Sequence, residues 1–367
     1  MPCFHPISAY YPLKLDGDGK RRLQFGQKRH LHAVSSSFLI KHYDLQIPKK
    51  PLQDLENSCY DYPVYIDGNI GISGIDIKVP CGKCIGCKFD YSRMWATRSV
   101  NEAFMHDHFN DCSFVTLTFN PEMLNRRENP ASLNKTAFRS WIKRLRKAIK
   151  EKYDKEIRIM ACGEYGAKHK RPHYHMIIYG FNFPEKTVWK YNKIRGKDVI
   201  YYRSQFLEDI WRPAYSSDGY GFSVIGLVNF ETSAYVARYV TKKLFGRAAE
   251  QVYKDKEPEF LTTSRNPGLG YNYLLKYYKD IFNHNYITLP NGFKAPIPRY
   301  YSTKLEEFDP ELYSKWSIDK SNKMIENLFI ENLDVTQQRL AIKEKLKILS
   351  LNVLCRQYEF NSCEDLI

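Results

Sequence analysis

Two imidazoles one residue apart are the sharpest chemical feature of this 367-residue chain, in Arg171-Pro172-His173-Tyr174-His175-Met176-Ile177-Ile178-Tyr179-Gly180. Side chains alternate faces along a β-strand, so His173 and His175 point the same way and can share one ion. A sheet that merely carries two locally hydrogen-bonded histidines gives the same pattern, and the neighbouring residues must decide between the two. Just upstream, Glu156 to Cys162 reads as a strand. Gly163 to Pro172, with two glycines and a proline, reads as the turn of an antiparallel hairpin. Pairing around that turn sets Glu164 roughly opposite His173. Two imidazoles and one carboxylate leave coordination positions open. That suits a divalent cation such as Mg or Mn acting as a Lewis acid, not a sealed structural ion. Glu164 alone also fits a solvated turn acid.

Further along, Tyr235-Val236-Ala237-Arg238-Tyr239-Val240-Thr241-Lys242-Lys243 places two phenols four residues apart. On a helix they share a face, with Cβ atoms about 5 to 6 Å apart, and Lys242 lies on a neighbouring part of it. In a chain with 28 tyrosines such a pair is also ordinary core packing. The lysine shifts the balance. A phenol with a reference pKa of about 10 is a poor nucleophile at neutral pH, and a nearby ammonium or a metal-polarised phosphate is what would let it attack.

A third cluster, Cys81-x-x-Cys84-x-x-Cys87, supplies three thiols at ligand spacing, and Cys3 or His5 from the amino-terminal Cys-x-His offers a fourth group for tetrahedral zinc. Such an ion would compensate for a thin core by tying the amino-terminal segment to a helix expected at 89–105. Reduced cysteines in a glycine-rich turn, or an iron–sulfur cluster, are the competing readings. Cys59 and Cys112 show no partner pattern.

The elements that must position these groups are legible in part. Phe114-Val115-Thr116-Leu117-Thr118-Phe119 alternates and is rich in β-formers, so it predicts a strand. Lys135 to Lys152 predicts a helix that buries Phe138, Trp141, Ile142, Leu145 and Ile149. Its other side is basic, with Lys143, Arg144, Arg146, Lys147 and Lys150. Val224 to Phe230 predicts another strand. Thr232 to Leu244 predicts the tyrosine helix, with Thr232 or Ser233 as N-cap. Residues 1–108 read as irregular, with the Gly17-Asp18-Gly19 turn and short strand-like runs such as Tyr62 to Ile66. From about 250 prolines punctuate aromatic loops, and Gln337 to Leu351 recovers a charged amphipathic helix. The expected division is 1–108, 109–250 and 251–367. The expected architecture is α+β, a central antiparallel sheet with flanking helices, an irregular cysteine-bearing amino-terminal region and a helical carboxy-terminal one.

Composition bounds the partner. Fifty-six Lys and Arg against 41 Asp and Glu give a net charge of +15, spread along the chain, together with 21 Phe, 28 Tyr and 5 Trp. Dispersed positive charge with many aromatics suits a phosphate backbone carrying stackable bases; a merely soluble basic protein has the same composition. The first twenty residues lack an apolar segment and a cleavage pattern, and no run approaches the roughly 18 apolar residues that cross a bilayer. A soluble cytoplasmic protein, with no membrane partner and with cysteines reduced or metal-bound, is expected. No G-x-x-x-x-G-K-[ST] loop occurs, so any unwinding is expected from a separate helicase.

The order of Phe114 to Phe119, His173-Tyr174-His175 and Tyr235-x-x-x-Tyr239-x-x-Lys242 resembles the three motifs of the HUH rolling-circle replication initiators. Cys162-Gly163-Glu164-Tyr165-Gly166, Arg171 to His175, Pro80 to Cys87 and Tyr235 to Val240 resemble, more narrowly, the initiator of gokushovirus-type microviruses, which are phages with single-stranded DNA genomes. The resemblance covers Cys3 to about Lys243. It implies an RRM- or ferredoxin-like HUH endonuclease domain. His173 and His175, with Glu164 less firmly, would bind a divalent cation at the scissile phosphate. Tyr235 and Tyr239 would be nucleophiles that nick the origin through a 5'-phosphotyrosine and later rejoin the strand. Lys242 would stabilise developing negative charge, and Arg171, Arg238 and Lys243 would contact DNA. Base readout is expected from loops in 187–222 and 258–301. The implied partners are single-stranded DNA at a phage origin and the host's helicase and polymerase, in the cytoplasm of a bacterial host. The same chemistry in plasmid replication or transposition, and a non-catalytic zinc-stabilised protein that binds single strands, are the rival readings.

Overall fold

The structure of the chain, a computed structural model, describes residues 3–12, 24–25, 74–166, 169–194, 197–213, 218–242, 253–290, 292–331 and 336–359. The Gly17 to Gly19 turn, the run Tyr62 to Ile66, Cys59 and Lys243 lie outside the described residues. The chain forms two compact units, Met1–Cys87 with Glu326–Lys345, and Lys88–Ile325 with Leu346–Ile367. Among the described residues no helix is long and apolar enough to cross a membrane.

In the first unit β1 (Ile7–Pro12), β2 (Gln24–Phe25) and β3 (Gly74–Val79) form an antiparallel sheet in the order β2-β1-β3. The β1–β3 ladder runs from Pro12 opposite Gly74 to Ile7 opposite Val79. That register returns the chain to its own start, with residues 3–6 and 80–87 at the same end of the ladder.

The second unit is built on seven antiparallel strands. They are β4 (Cys112–Thr118), β5 (Arg158–Tyr165), β6 (Pro172–Tyr179), β7 (Thr187–Ile194), β8 (Lys197–Arg203), β9 (Ser223–Gly226) and β10 (Phe260–Thr263). Their order is β10-β5-β6-β4-β9-β8-β7, so the expected α+β architecture is the observed one. Every residue of β6 is buried, and its two faces part at period two. Tyr174, Met176 and Ile178 join the core under the Lys135–Tyr153 helix, which buries Phe138, Trp141, Ile142, Leu145 and Ile149 as its spacing predicts. That helix starts at an Asn134 cap whose side chain accepts the Ala137 N–H, and it ends at Asp154 in the left-handed conformation. Ile177 and Tyr179 belong to the opposite core, with Ala96 and Ala103 of the Ile85–Phe104 helix and Val236 and Ala237 of the Phe230–Lys242 helix.

Several elements differ from the sequence expectation. The strand expected over Val224 to Phe230 stops at Gly226, and the helix begins at Phe230 instead of after Thr232. Asn229 caps it: its side chain accepts the Thr232 N–H at 2.8 Å, while the Thr232 hydroxyl accepts the Asn229 N–H at 2.9 Å. Thr232 thus answers the cap from the third helical position in a reciprocal box. Ser233 is instead buried, accepting a hydrogen bond from Ser99 at 3.0 Å. The helix expected from Phe89 starts at Ile85. Residues 187–203, expected among recognition loops, form the β7–β8 hairpin with a bulge between Val188 and Lys190. β7 is largely exposed and Val199 to Arg203 of β8 only half-buried, so their polar–apolar alternation is weak in the sequence. The edge strand β10 comes from beyond residue 250, where prolines suggested only loops.

Leu145 is fully buried between helix and sheet. Leu145→Ala is expected to destabilise the fold by about 2 to 5 kcal/mol, and Lys143→Ala, on the exposed side of the same helix, by no more than about 0.5 kcal/mol. Chemical denaturation midpoints at constant slope check both.

Candidate functional site

The β5–β6 ladder sets Glu164 directly opposite His173 and Cys162 opposite His175, while β4 on the other side sets Thr118 and Thr116 opposite the same two histidines. The register thus sets Glu164 across from His173, the pairing the hairpin reading expects. All three side chains are buried, with His175 fully so. His175 Nε2 lies 2.7 Å from a Glu164 carboxylate oxygen, and its Nδ1 lies 3.0 Å from the Thr116 hydroxyl. His173 Nδ1 lies 2.7 Å from the carbonyl oxygen of Arg171. A carbonyl only accepts, so His173 Nδ1 carries the proton and the lone pair of the neutral ring sits on Nε2. Thr116 can donate or accept and so serves either tautomer of His175. Imidazoles oriented through Nδ1 by a carbonyl and a hydroxyl are arranged as metal-ligating histidines usually are. The Glu164–His175 separation is also close to the ~3 Å between adjacent ligand atoms on an octahedral ion with bonds of about 2.1 Å. The Glu164–His175 pair therefore fits two adjacent positions on a divalent cation.

The tyrosine helix lies against this face. Phe114 stacks on the His175 ring at 5.9 Å and 5°. Tyr235 meets both rings edge-on, 5.1 Å from His175 and 6.1 Å from Phe114 between ring centroids. Tyr235 is half-buried, so one of the two expected phenols stands at the histidine site. The side chains of Tyr239 and Lys242, although their backbone is helical, lie outside the described residues. Arg238 is half-buried on the same helix. Arg171 donates from Nη2 to the Phe119 carbonyl at 2.7 Å, which latches the start of β6 to the end of β4. Phe114 and Thr116 received no role from the sequence. The only signal was their period-two alternation, which places both on the histidine face.

The cysteine cluster is assembled within the smaller unit. The thiols of Cys3, Cys81, Cys84 and Cys87 all lie within 4.8 Å of one another. Cys3 and Cys84 are 3.7 Å apart, and Cys81 and Cys87 4.0 Å. A tetrahedron of metal–sulfur bonds of about 2.3 Å has an edge of ~3.8 Å. The cluster can therefore hold one metal ion. Cys3, not His5, is the fourth group: His5 Nε2 pairs with Glu344 at 2.7 Å. Backbone N–H groups of Phe4, Cys81, Cys84 and Cys87 donate to the thiols of Cys84, Cys3, Cys81 and Cys84 at 3.2 to 3.5 Å. Burial pushes the Cys84 thiol up, but the N–H groups of Cys87 and Phe4 reverse this and leave it lowered to about 6, so a thiolate forms there near neutral pH. Buried Phe4 and Leu340 close over the cluster. The purified chain is expected to carry one equivalent of tightly held metal by elemental analysis. Cys84→Ser should lose it, with a fall in melting temperature; unchanged metal content in the variant would overturn the assignment.

Comparison with known proteins then places the chain. A family model described as replication-associated protein ORF2/G2P matches residues 112–244, from β4 through the tyrosine helix. The chain is 34% identical over 258 residues to replication-associated protein VP4 of Bdellovibrio phage phiMH2K, covering 69% of this chain and 74% of that protein. It is 30% identical over 278 residues to replication-associated protein ORF2 of Spiroplasma virus 4, covering 72% and 79%. It is 29% identical over 258 residues to replication-associated protein ORF4 of Chlamydia phage 1, covering 68% and 60%. No solved structure matches. Identity over most of the chain to replication-associated proteins of microvirus-type phages means that it belongs to that ORF2/G2P family.

Proposed function

We propose that the chain initiates rolling-circle replication of a single-stranded DNA phage by nicking the origin with a tyrosine and later rejoining the displaced strand. The observation that carries this reading is His175 itself, with Glu164 at 2.7 Å from one ring nitrogen and the Tyr235 ring 5.1 Å away. A buried imidazole and carboxylate in contact with a phenol is an arrangement in which one phosphate can meet both an ion and a nucleophile.

In this reading His173, His175 and Glu164 hold Mg or Mn, which when bound supplies Lewis-acid polarisation of a phosphoryl oxygen. Tyr235 attacks the scissile phosphorus. The phenol loses its proton as the Tyr–O–P bond forms, the bond to O3' breaks, and O3' leaves protonated. The phosphotyrosine conserves the bond energy, so Tyr239, one helical turn away, can drive the exchange that closes the strand without ATP. Lys242 offsets the developing negative charge, and Arg171, Arg238 and Lys243 contact the phosphate backbone. The free 3'-hydroxyl passes to a host polymerase, a host helicase unwinds the duplex, and the site of action is the host cytoplasm. Zinc is the ion proposed for the four-cysteine cluster, whose all-thiolate tetrahedron suits a structural role.

The test uses labelled oligonucleotides tiled across the genome that encodes the chain, with Mg or Mn. A denaturant-resistant protein–DNA adduct is expected, and its absence across sequences and metals would leave a non-catalytic single-strand-binding protein. His175→Ala should abolish the adduct while retaining most DNA binding. Tyr235→Phe and Tyr239→Phe should separate first cutting from strand transfer, and the double variant should form no adduct.

The Thr116–His175 contact generates a further prediction. Thr116→Val is expected to raise the Mn concentration needed for half-maximal cleavage about 10- to 100-fold, with little change in the rate at saturation.

A further inference from the structure

On the sheet face opposite the histidines, at the same end of β4 and β6, lies a cleft of about 660 Å³. Its position follows from the strand alternation. Tyr174, between the two histidines in sequence, points to this side, and Phe119 follows directly on Thr118, which pairs with His173. The cleft is walled by Phe119, Tyr220 and Tyr253 and rimmed by Asn134 and Ala137 at the start of the Lys135–Tyr153 helix. Its size falls within the range of pockets that hold a nucleotide-sized ligand.

Three observations indicate what it holds. The Arg127 guanidinium stacks over the Phe119 ring at 4.5 Å and donates from Nη2 to the Ser132 carbonyl at 2.7 Å, yet its Nη1 is buried with no hydrogen-bond partner. A buried unpaired donor costs free energy unless a ligand supplies an acceptor. The charges around the cleft balance, with Glu128, Asp255 and Glu257 against Arg127, Lys254 and Lys256. It is therefore no anion hole, and a flat neutral group with acceptor atoms fits better than a phosphate. The aromatic wall is preset. Tyr220 packs on Phe119 and Trp211 at 5.5 and 4.8 Å between centroids, and its carbonyl accepts the Asn120 N–H at 2.9 Å. The next residue, Gly221, has φ of +154°, and a Cβ there would lie 2.4 Å from the Asn120 nitrogen, so only glycine lets this segment come so close.

We propose that this cleft takes one unpaired base of the substrate strand, splayed out within a few nucleotides of the scissile phosphate, with the Arg127 guanidinium turning to donate to an acceptor on its edge. The proposal rests on the single-strand substrate of the proposed function and adds a subsite that reads the strand on the other face of the sheet. Stacking on aromatic side chains with an arginine donor is how splayed bases are generally held.

The experiment measures binding by fluorescence anisotropy, and adduct formation, with origin oligonucleotides that are abasic at one position in turn. One position should weaken binding about tenfold, the loss of a single stacked base. Ala137→Trp, which fills the cleft without removing a contact, should cause a similar loss on the intact strand and none on that abasic strand, because the two changes remove the same interaction. Arg127→Gln is a second variant should Ala137→Trp fail to fold, judged by its thermal unfolding. Adduct formation with no abasic position whose effect these variants cancel would overturn the cleft and spare the nicking reading. A cancelled position with no adduct would do the reverse, and failure of both would overturn both.

Discussion

The register between β5 and β6 is the constraint on which the site depends. It places Glu164 across from His173, and β4 on the far side places Thr116 across from His175. A slip of one residue would turn every side chain of β6 to the other face, sending both histidines into the Phe138–Trp141 core and Tyr174 and Met176 toward the tyrosine helix. Such a slip is opposed on both faces at once. Each carries a packed apolar set, including fully buried Met176 and Ile178 on one and Ile177 and Tyr179 on the other. The hydrophobic pattern that stabilises the sheet is thus also what aims the imidazoles.

Burying two imidazoles and a carboxylate is costly unless they satisfy one another. Here each has a named partner: the Arg171 carbonyl for His173, the Thr116 hydroxyl for His175, and the His175 ring for Glu164. The sheet needs these contacts to bury the groups at all, and the same contacts fix the orientation of each ring. Phe114 and Tyr235 seal the assembly from the side, so the phenol is held by packing and not only by its place on the helix.

The cysteine cluster obeys a different logic. It sits where an antiparallel ladder brings the amino terminus back to residues 80–87, and four thiols converge without an extensive apolar core around them. The N–H groups that donate to the sulfurs come from the same short turns that hold the cysteines, and at Cys84 two of them stabilise thiolate charge before any ion is considered.

Local pattern alone determined much of this protein. His173 and His175 share a face because strands have period two, the Lys135–Tyr153 helix buries the five residues its spacing selects, and a turn between Gly163 and Pro172 already implied a carboxylate across from an imidazole. Membership in the replication-associated family was legible in the same words. What tertiary structure decided were contacts between segments distant in sequence, where no local period applies. It chose Cys3 over His5 beside Cys84, paired Thr116 with His175, brought a strand from beyond residue 250 to the sheet edge, and made Asn229 the cap in place of Thr232 or Ser233. Periodicity reports which way a side chain points, but which partner it meets is set by long-range pairing and burial, and those are properties of the folded chain.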